Sequence, residues 1–170
     1  MSALQKLLKI TVVGEGGVGK TTLIKRYITG VFSHSKTTIG VSFAIANVNI
    51  QNTVVKMQIW DLAGEERFRN LLPSFCKGSN GALVVFDLSR YPTFLALAEW
   101  IELVRKNTCS IPIILAGSKA DLTADKTVDQ HQIKELIDKY CLKNYYSFSS
   151  KTGENIDKIF LELASSVLQA

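Results

Sequence analysis

The chain has 170 residues, a hydrophobic fraction of 46%, a charged fraction of 21% and a formal net charge of +5, a composition typical of one globular domain. No run of about 18 apolar residues occurs, so the sequence predicts no membrane-spanning helix. Three widely spaced cysteines, Cys76, Cys109 and Cys141, argue against a disulfide framework or a zinc site and favour a reducing cytoplasm. The basic residues are scattered, and we therefore expect a solvated surface and no nucleic-acid partner.

The first third of the chain predicts a strand, a helix and a hairpin. The first residues lack a cleavage-site pattern, so they indicate the lead-in to a strand at residues 9–14 and not a signal peptide. Residues 21–30 predict a helix that ends at Gly30, and residues 41–50 and 53–60 predict two strands of a hairpin. The helix is expected to turn one apolar side inward: Leu23, Ile24, Tyr27 and Ile28.

The rest of the chain alternates apolar strands with amphipathic helices. Pro92 opens one helix, the pair Asp129 and Gln132 caps the next, and residues 154–168 form the last. Strands are predicted at residues 82–88, 111–117 and 144–150. The expected inward faces are Phe94, Leu97, Ala98, Ile101 and Val104; Ile133, Leu136, Ile137 and Tyr140; and Ile156, Ile159, Phe160, Leu163 and Val167.

This alternation predicts an α/β fold and a single domain over residues 1–170; together with the loop GEGGVGKT at residues 14–21, it indicates the P-loop nucleoside-triphosphatase type. The apolar, β-branched strands indicate a six-stranded, mainly parallel sheet with helices on both faces, and the hairpin supplies one antiparallel strand. Ligands of such sheets bind beyond the carboxyl ends of the strands, which is where the polar motifs of this chain fall.

Residues 14–21, GEGGVGKT, follow the first strand, open the first helix and match the pattern GxxxxGK(S/T). Glycines let the backbone turn and approach an anion, so that successive N–H groups and the helix N-terminus bind phosphate. Lys20 would neutralise the β- and γ-phosphates, and the Thr21 hydroxyl would ligate Mg²⁺. The candidate phosphate-binding residues are Gly16, Gly17, Val18, Gly19, Lys20, Thr21 and Thr22.

Three further motifs follow later strands. In DLAG, Asp61 can hold Mg²⁺ through a water molecule and the Gly64 N–H can bond a γ-phosphate oxygen. In GSKAD, the Asp121 carboxylate can accept the two N–H donors that guanine offers and adenine lacks, while the Lys119 stem lies along the base. In SSK, backbone N–H groups can approach the guanine O6, which makes Ser149, Ser150 and Lys151 candidates.

With these motifs the sequence resembles the Ras superfamily of small GTPases, closest to the Rab-like branch, over nearly its whole length. The resemblance rests on GEGGVGKT, TTIGVSF, WDLAGEERF, GSKAD and SSK. It implies a GTP/GDP switch with Mg²⁺ and slow GTP hydrolysis, acting in membrane traffic or signalling through effectors. Residues 33–42 and 63–77 would be the switch segments, ordered around GTP and looser around GDP.

The resemblance also assigns individual roles. Thr38 matches the threonine that reaches Mg²⁺ and the γ-phosphate, and Phe32 matches the aromatic residue that packs edge-on against guanine. Phe43, Trp60 and Phe75 match the aromatic triad that displays the nucleotide state to effectors, although simple core packing explains these residues equally well. The implied partners are effectors, an exchange factor and an activating protein.

Four positions depart from the family pattern. Ser118 stands where asparagine is usual, and one lost hydrogen bond of about 0.5–1.5 kcal/mol predicts affinity up to roughly tenfold weaker, or faster exchange. The span from Phe32 to Thr38 is one residue short, which leaves Thr37 as an alternative ligand. Leu62 replaces a common threonine, with little expected effect.

The fourth departure is Glu65, at the position of the glutamine that orients the attacking water. A carboxylate about 5 Å from the γ-phosphate is repelled by about 3 kcal/mol, but bound GTP and the transition state carry that repulsion alike. Only a difference between the two states changes the rate. We therefore expect Lys20, Thr38 and Glu65 to support slow hydrolysis, with an altered response to a glutamine-dependent activating protein.

Two other functions compete with the GTPase. One is a guanine-nucleotide-binding module that does not hydrolyse GTP because Glu65 replaces the glutamine. The other is an ATP-dependent phosphoryl transferase, which GSKAD argues against. The chain stops without a terminal cysteine, so the sequence predicts peripheral membrane attachment on the cytosolic face only if a lipidated tail is missing from it.

Overall fold

The computed structural model describes residues 6–170, and the predicted lead-in at residues 1–5 lies outside this range. The strands are β1 (Lys6–Val13), β2 (Val41–Ile50), β3 (Thr53–Leu62), β4 (Gly81–Asp87), β5 (Ile113–Ser118) and β6 (Asn144–Ser147). The helices are α1 (Lys20–Thr29), α2 (Leu72–Cys76), α3 (Tyr91–Leu95), α4 (Leu97–Asn107), α5 (Gln130–Tyr140) and α6 (Ile156–Gln169). Single 3₁₀ turns lie at Glu66–Phe68 and Thr123–Asp125.

The described strands form one six-stranded sheet, as the sequence predicts, and within it they are arranged in the order β2-β3-β1-β4-β5-β6. Only the β2–β3 pair is antiparallel, and its two-residue turn places Gln51 and Asn52 at positive φ, 46° and 65°. Positive φ at both central residues is typical of the type I′ turn, whose backbone twist matches that of the two flanking strands. The carboxyl ends of β1, β3, β4 and β5 therefore lie side by side at one edge of the sheet.

Each face of the sheet carries its own apolar core, because buried strands need cover on both sides. Helices α1 and α6 pack on one face, where Leu23, Phe148 and Phe160 are buried. Helices α2 to α5 pack on the other face around Phe86 and Trp100. Leu62 is fully buried in the second core, which agrees with the little effect expected of it on the site.

The structure corrects several boundaries and one inward face. Ile28, expected to point inward, is 45% exposed, because α1 contacts the sheet mainly through Leu23 and Ile24. The helix expected after Pro92 is divided at Ala96 into α3 and α4. Strand β6 ends at Ser147, and α6 starts only after Asn155, whose φ is 59°. No helix within residues 6–170 has the length and hydrophobicity to cross a membrane.

The predicted cap of α5 is confirmed as a capping box. The Asp129 carboxylate accepts from the His131 N–H at 3.0 Å, and the Gln132 side chain accepts from the Asp129 N–H at 3.4 Å. Changing Asp129 to Ala removes the side-chain acceptor of the His131 N–H, whereas the bond from the backbone N–H of residue 129 to Gln132 does not need the carboxylate. We expect the substitution to lower the free energy of unfolding by about 1 kcal/mol and the melting temperature by about 2–4 °C.

The matched control is Asp138→Ala, which removes an exposed carboxylate from the other end of the same helix. Because Asp138 caps no N–H group, we expect no loss of stability in thermal or urea unfolding. Equal losses in the two variants would contradict a capping role for Asp129.

Candidate functional site

The loop between β1 and α1 turns tightly through three glycines with positive φ. Gly14, Gly17 and Gly19 have φ of 147°, 73° and 100°, a region that side-chain-bearing residues rarely adopt. The loop leads directly into α1, whose first N–H groups have no partner within the helix. This geometry creates an anion-binding site at the helix N-terminus.

Lys20 places a buried cation inside this loop. Its Nζ donates to the backbone carbonyls of Gly14 and Glu15 at 2.7 and 2.8 Å, and the residue is only 6% exposed. Burial lowers the pKa of Lys20 to about 8, although the nearby Asp61 acts in the opposite direction. The nearby carboxylates therefore neutralise the ammonium only in part, which suits a phosphate ligand.

Three oxygen-bearing side chains meet beside Lys20. Thr21 Oγ1 lies 2.5 Å from Asp61 Oδ2 and 2.6 Å from Thr38 Oγ1, and Thr38 Oγ1 lies 3.3 Å from the same Asp61 oxygen. Asp61 Oδ1 is buried without a hydrogen-bond partner in the described chain, and burial raises the pKa of this carboxyl. Hydroxyl and carboxylate oxygens are the ligands Mg²⁺ prefers, so this set fits the ion.

Thr38, and not the alternative Thr37, lies at this cluster. Thr37 is exposed, whereas Thr38 is half-buried against Thr21. The shortened segment from Phe32 therefore still brings a threonine hydroxyl to the predicted metal position. Phe32 lines the pocket in which Thr38 and Thr21 also lie. Its ring packs edge-on against His34, with ring centroids 5.2 Å apart.

The loop after β5 contacts the phosphate loop directly. Ser118 Oγ donates to the Val18 carbonyl at 2.5 Å, so the shorter side chain keeps its connection to the phosphate loop and has no second proton to offer a base. The neighbouring Lys119 forms an ion pair with the fully buried Asp87 at 2.6 Å. Asp121 faces the pocket, and its Oδ1 accepts from Ser149 Oγ at 2.7 Å.

Ser149 differs from its predicted position. It is fully buried, and its backbone N–H donates to the Glu154 carbonyl at 3.2 Å, so that N–H group is not available to a base. Ser149 instead orients Asp121 through its hydroxyl. Ser150 and Lys151 do face the pocket.

One pocket of about 510 Å³ joins the two loops, a volume typical of small-molecule sites. It is lined by most of the predicted residues, whereas Ser149 and Asp61 lie behind its wall. The lining residues are Gly16, Gly17, Val18, Gly19, Lys20, Thr21, Thr22, Phe32, His34, Ser35, Lys36, Thr37, Thr38, Gly64, Glu65, Ser118, Lys119, Asp121, Leu122, Ser150 and Lys151.

The segment after β3 rests on the phosphate loop. A Cβ at Gly64 would lie 2.3–2.4 Å from backbone atoms of Gly14, Glu15 and Gly16, so no larger residue fits there. Glu65 follows at the pocket wall, where its Cγ would lie 3.8 Å from a Cβ on Gly16. Its Oε2 accepts from Arg67 Nε at 2.7 Å, in a pair exposed to solvent on the Arg67 side.

A polar network that sequence reasoning missed anchors this segment. Glu15 Oε1 accepts from Arg69 Nη2 at 2.6 Å and from the Trp100 indole N–H at 2.8 Å. Arg69 also pairs with Glu99, and its guanidinium lies 4.8 Å from the Trp100 ring centroid. Because these residues are far apart in the chain, no local pattern could have identified the network.

Sequence reasoning also missed Asp87 and Arg90. Asp87 ends β4 and binds both Lys119 and Arg90, and Arg90 Nη2 donates to the Gly16 carbonyl at 3.0 Å. The sequence did contain a signal for Asp87, since it is a charged residue at the end of an otherwise apolar strand. In such sheets the carboxyl ends of the strands form the binding site.

The three aromatic residues Phe43, Trp60 and Phe75 form one row. Their ring centroids lie 5.8 Å apart for Phe43 and Trp60, and 5.9 Å apart for Trp60 and Phe75. Phe43 is 63% exposed, while Trp60 and Phe75 are half-buried against the second core. The row thus combines core packing with an exposed aromatic surface.

Comparison with known proteins identifies the family. The model of the Ras family matches residues 9–169. The chain is 35% identical to the Ras-related protein Rab-19 of Rattus norvegicus over 164 residues, which cover 95% of the chain and 76% of that relative. It is 36% identical to human Rab-30 over 160 residues, covering 93% and 78%.

A third relative is similar over nearly the whole chain. The chain is 34% identical to Rab-2B of Dictyostelium discoideum over 170 residues, covering 99% of the chain and 84% of the relative. The chain therefore belongs to the Ras family and is a Rab-like small GTPase, a GTP-hydrolysing switch of membrane traffic that binds GTP or GDP with Mg²⁺.

Proposed function

We propose that the pocket holds the guanine nucleotide between the phosphate loop and Asp121, and that residues 33–42 and 63–77 change order with the γ-phosphate. The observation that carries this proposal is the continuous pocket, with a buried ammonium at one end and a carboxylate at the other. The ammonium suits phosphate, and the carboxylate suits the paired N–H donors of guanine. The two ends together match a guanosine phosphate.

In this proposal each end of the pocket has a distinct task. The N–H groups of the phosphate loop and Lys20 bind the β- and γ-phosphates, and Thr21, Thr38 and Asp61 would hold Mg²⁺. The ion, when bound, neutralises phosphate charge that develops during transfer. Thr38 belongs to the first switch segment, so its contact with Thr21 supports a link between that segment and the ion.

Glu65 is proposed to orient the attacking water. Glu65 is one of the residues that line the pocket, and Arg67 offsets part of the charge of its carboxylate. A carboxylate accepts a hydrogen bond from water but cannot donate one to the phosphoryl oxygens. This difference supports slow intrinsic hydrolysis together with a changed response to an activating protein that depends on glutamine.

Effectors, an exchange factor and an activating protein are proposed to contact the switch segments and the row formed by Phe43, Trp60 and Phe75. The exposed ring of Phe43 supports this surface. If a lipidated tail follows residue 170, the proposal also includes peripheral attachment of the protein to the cytosolic face of a membrane.

The Asp121 substitution tests the proposed guanine recognition. Because Asp121 would accept two N–H groups of the base, we expect Asp121→Ala to weaken GDP affinity by about 100-fold or more. Competition of labelled GDP with GTP and ATP, in the presence of Mg²⁺, measures both affinity and base selectivity. Equal competition by ATP in the unsubstituted chain would contradict guanine specificity.

Glu65 substitutions test the proposed hydrolytic role. We expect Glu65→Ala to slow single-turnover phosphate release by about tenfold or more, because the water loses its acceptor, and Glu65→Gln to stay within about threefold. Glu66→Ala, at the adjacent exposed position, serves as the control. Full activity of Glu65→Ala would exclude the role, and absence of phosphate release from the unsubstituted chain would favour the non-hydrolysing module.

The buried Lys20 predicts a pH dependence of stability. Because the pKa of Lys20 falls from 10.5 to about 8 on folding, the unfolded chain binds more protons between these values, and stability rises with pH there. For the nucleotide-free chain we expect a gain of roughly 2 kcal/mol between pH 7.5 and 9.5, relative to Lys20→Met.

Urea unfolding at the two pH values measures this gain. Lys25→Met, which changes an exposed lysine of the same helix, should keep the full pH dependence. Saturating GDP should remove it, since phosphate favours the charged ammonium. An identical pH profile for the unsubstituted chain and Lys20→Met would disprove the prediction.

A further inference from the structure

Asp87 lies between the two loops that form the pocket. It is the last residue of β4, is fully buried and stands opposite Ser118 in the β4–β5 register. Because β4 also pairs with β1, its carboxyl end separates the phosphate loop from the loop after β5. A buried carboxylate at this point requires nearby cations or donors.

Each oxygen of Asp87 has two donors. Oδ2 accepts from Lys119 Nζ at 2.6 Å and from Arg90 Nε at 3.0 Å. Oδ1 accepts from the Ser89 backbone N–H at 2.9 Å and from the Ser89 hydroxyl at 2.6 Å. Burial acts to raise the pKa of the Asp87 carboxyl, but the hydrogen bonds from Lys119 and Ser89 outweigh burial and lower it. Asp87 is therefore an anion at neutral pH.

The two cations on Oδ2 reach different halves of the pocket. Lys119 lines the base end, and its backbone is held at a φ of 61°. Arg90 extends to the phosphate loop, where Nη2 donates to the Gly16 carbonyl at 3.0 Å and would lie 3.5 Å from a Cβ on Gly17. A single carboxylate oxygen thus connects the base-binding loop with the backbone that surrounds the phosphates.

We propose that Asp87 is a positioning residue that couples the base-binding loop to the phosphate loop, through Lys119 on one side and Arg90 on the other. This inference rests on the proposed nucleotide site. It adds a second connection between the loops to the direct hydrogen bond from Ser118 to Val18.

The shared oxygen makes the contributions of Lys119 and Arg90 interdependent. When Arg90 is removed, the Gly16 carbonyl loses its donor and Lys119 becomes the only cation on Oδ2. When Lys119 is removed, Arg90 becomes the only cation on Oδ2. Each loss changes the position of the remaining cation, so the effects on nucleotide release should not be additive.

A double-mutant cycle tests this coupling. GDP release from the Mg²⁺-loaded chain is timed with a fluorescent GDP for Arg90→Gln, Lys119→Met and the double variant. We expect each single substitution to accelerate release about threefold or more, and the double variant to release GDP at least about threefold more slowly than the product of the single effects predicts. In an Asp87→Asn background the two effects should become multiplicative.

Arg105→Gln is the matched control, because Arg105 donates to the Ile111 carbonyl before β5, at the far edge of the sheet. It should combine multiplicatively with Lys119→Met. Multiplicative effects of Arg90→Gln and Lys119→Met would overturn the coupling, and this cycle decides the question even if Asp87→Asn fails to fold. Failure of the unsubstituted chain to bind GDP would instead overturn the proposed nucleotide site and the inference with it.

Discussion

The buried ammonium of Lys20 is the interaction on which the site depends. It lies against the Gly14 and Glu15 carbonyls in a loop that turns tightly enough to enclose it. Burial without a full counter-charge is costly, as the lowered pKa of Lys20 indicates. The loop therefore encloses a charge that a phosphate would stabilise. The Lys20 ammonium thus affects both the stability of the fold and the binding of a ligand.

The rest of the site is built onto this loop by close packing and by ionic contacts. Gly64 allows the segment after β3 to rest directly on the loop backbone, and the network of Glu15, Arg69 and Trp100 ties the same segment to α4. On the other side, Ser118 reaches the loop through one hydrogen bond. The phosphate loop is thus in direct contact with both neighbouring segments, so a change in its position would be transmitted to them.

The departures from the family pattern have different physical consequences. Ser118 keeps the contact to the phosphate loop, because its short side chain still reaches the Val18 carbonyl, but its only proton is used there. Glu65 brings a charge to the pocket wall, and Arg67 stands beside it. We propose that the first substitution affects nucleotide affinity and that the second affects the positioning of the attacking water.

Motifs that act through their own backbone could be identified from the sequence alone. The succession of strands and helices along the chain and the Asp129 cap could be identified in the same way. The phosphate loop and the hairpin turn belong to this group, because spacing along the chain determines their local geometry. The candidate residues Thr21, Asp61 and Asp121 were named from the motifs that contain them. The role of Ser149, the Glu15–Arg69–Trp100 network and the Asp87–Arg90 connection were decided only by the tertiary structure. These contacts join residues from separate loops, and only the packing of the parallel strands brings those loops within hydrogen-bond distance.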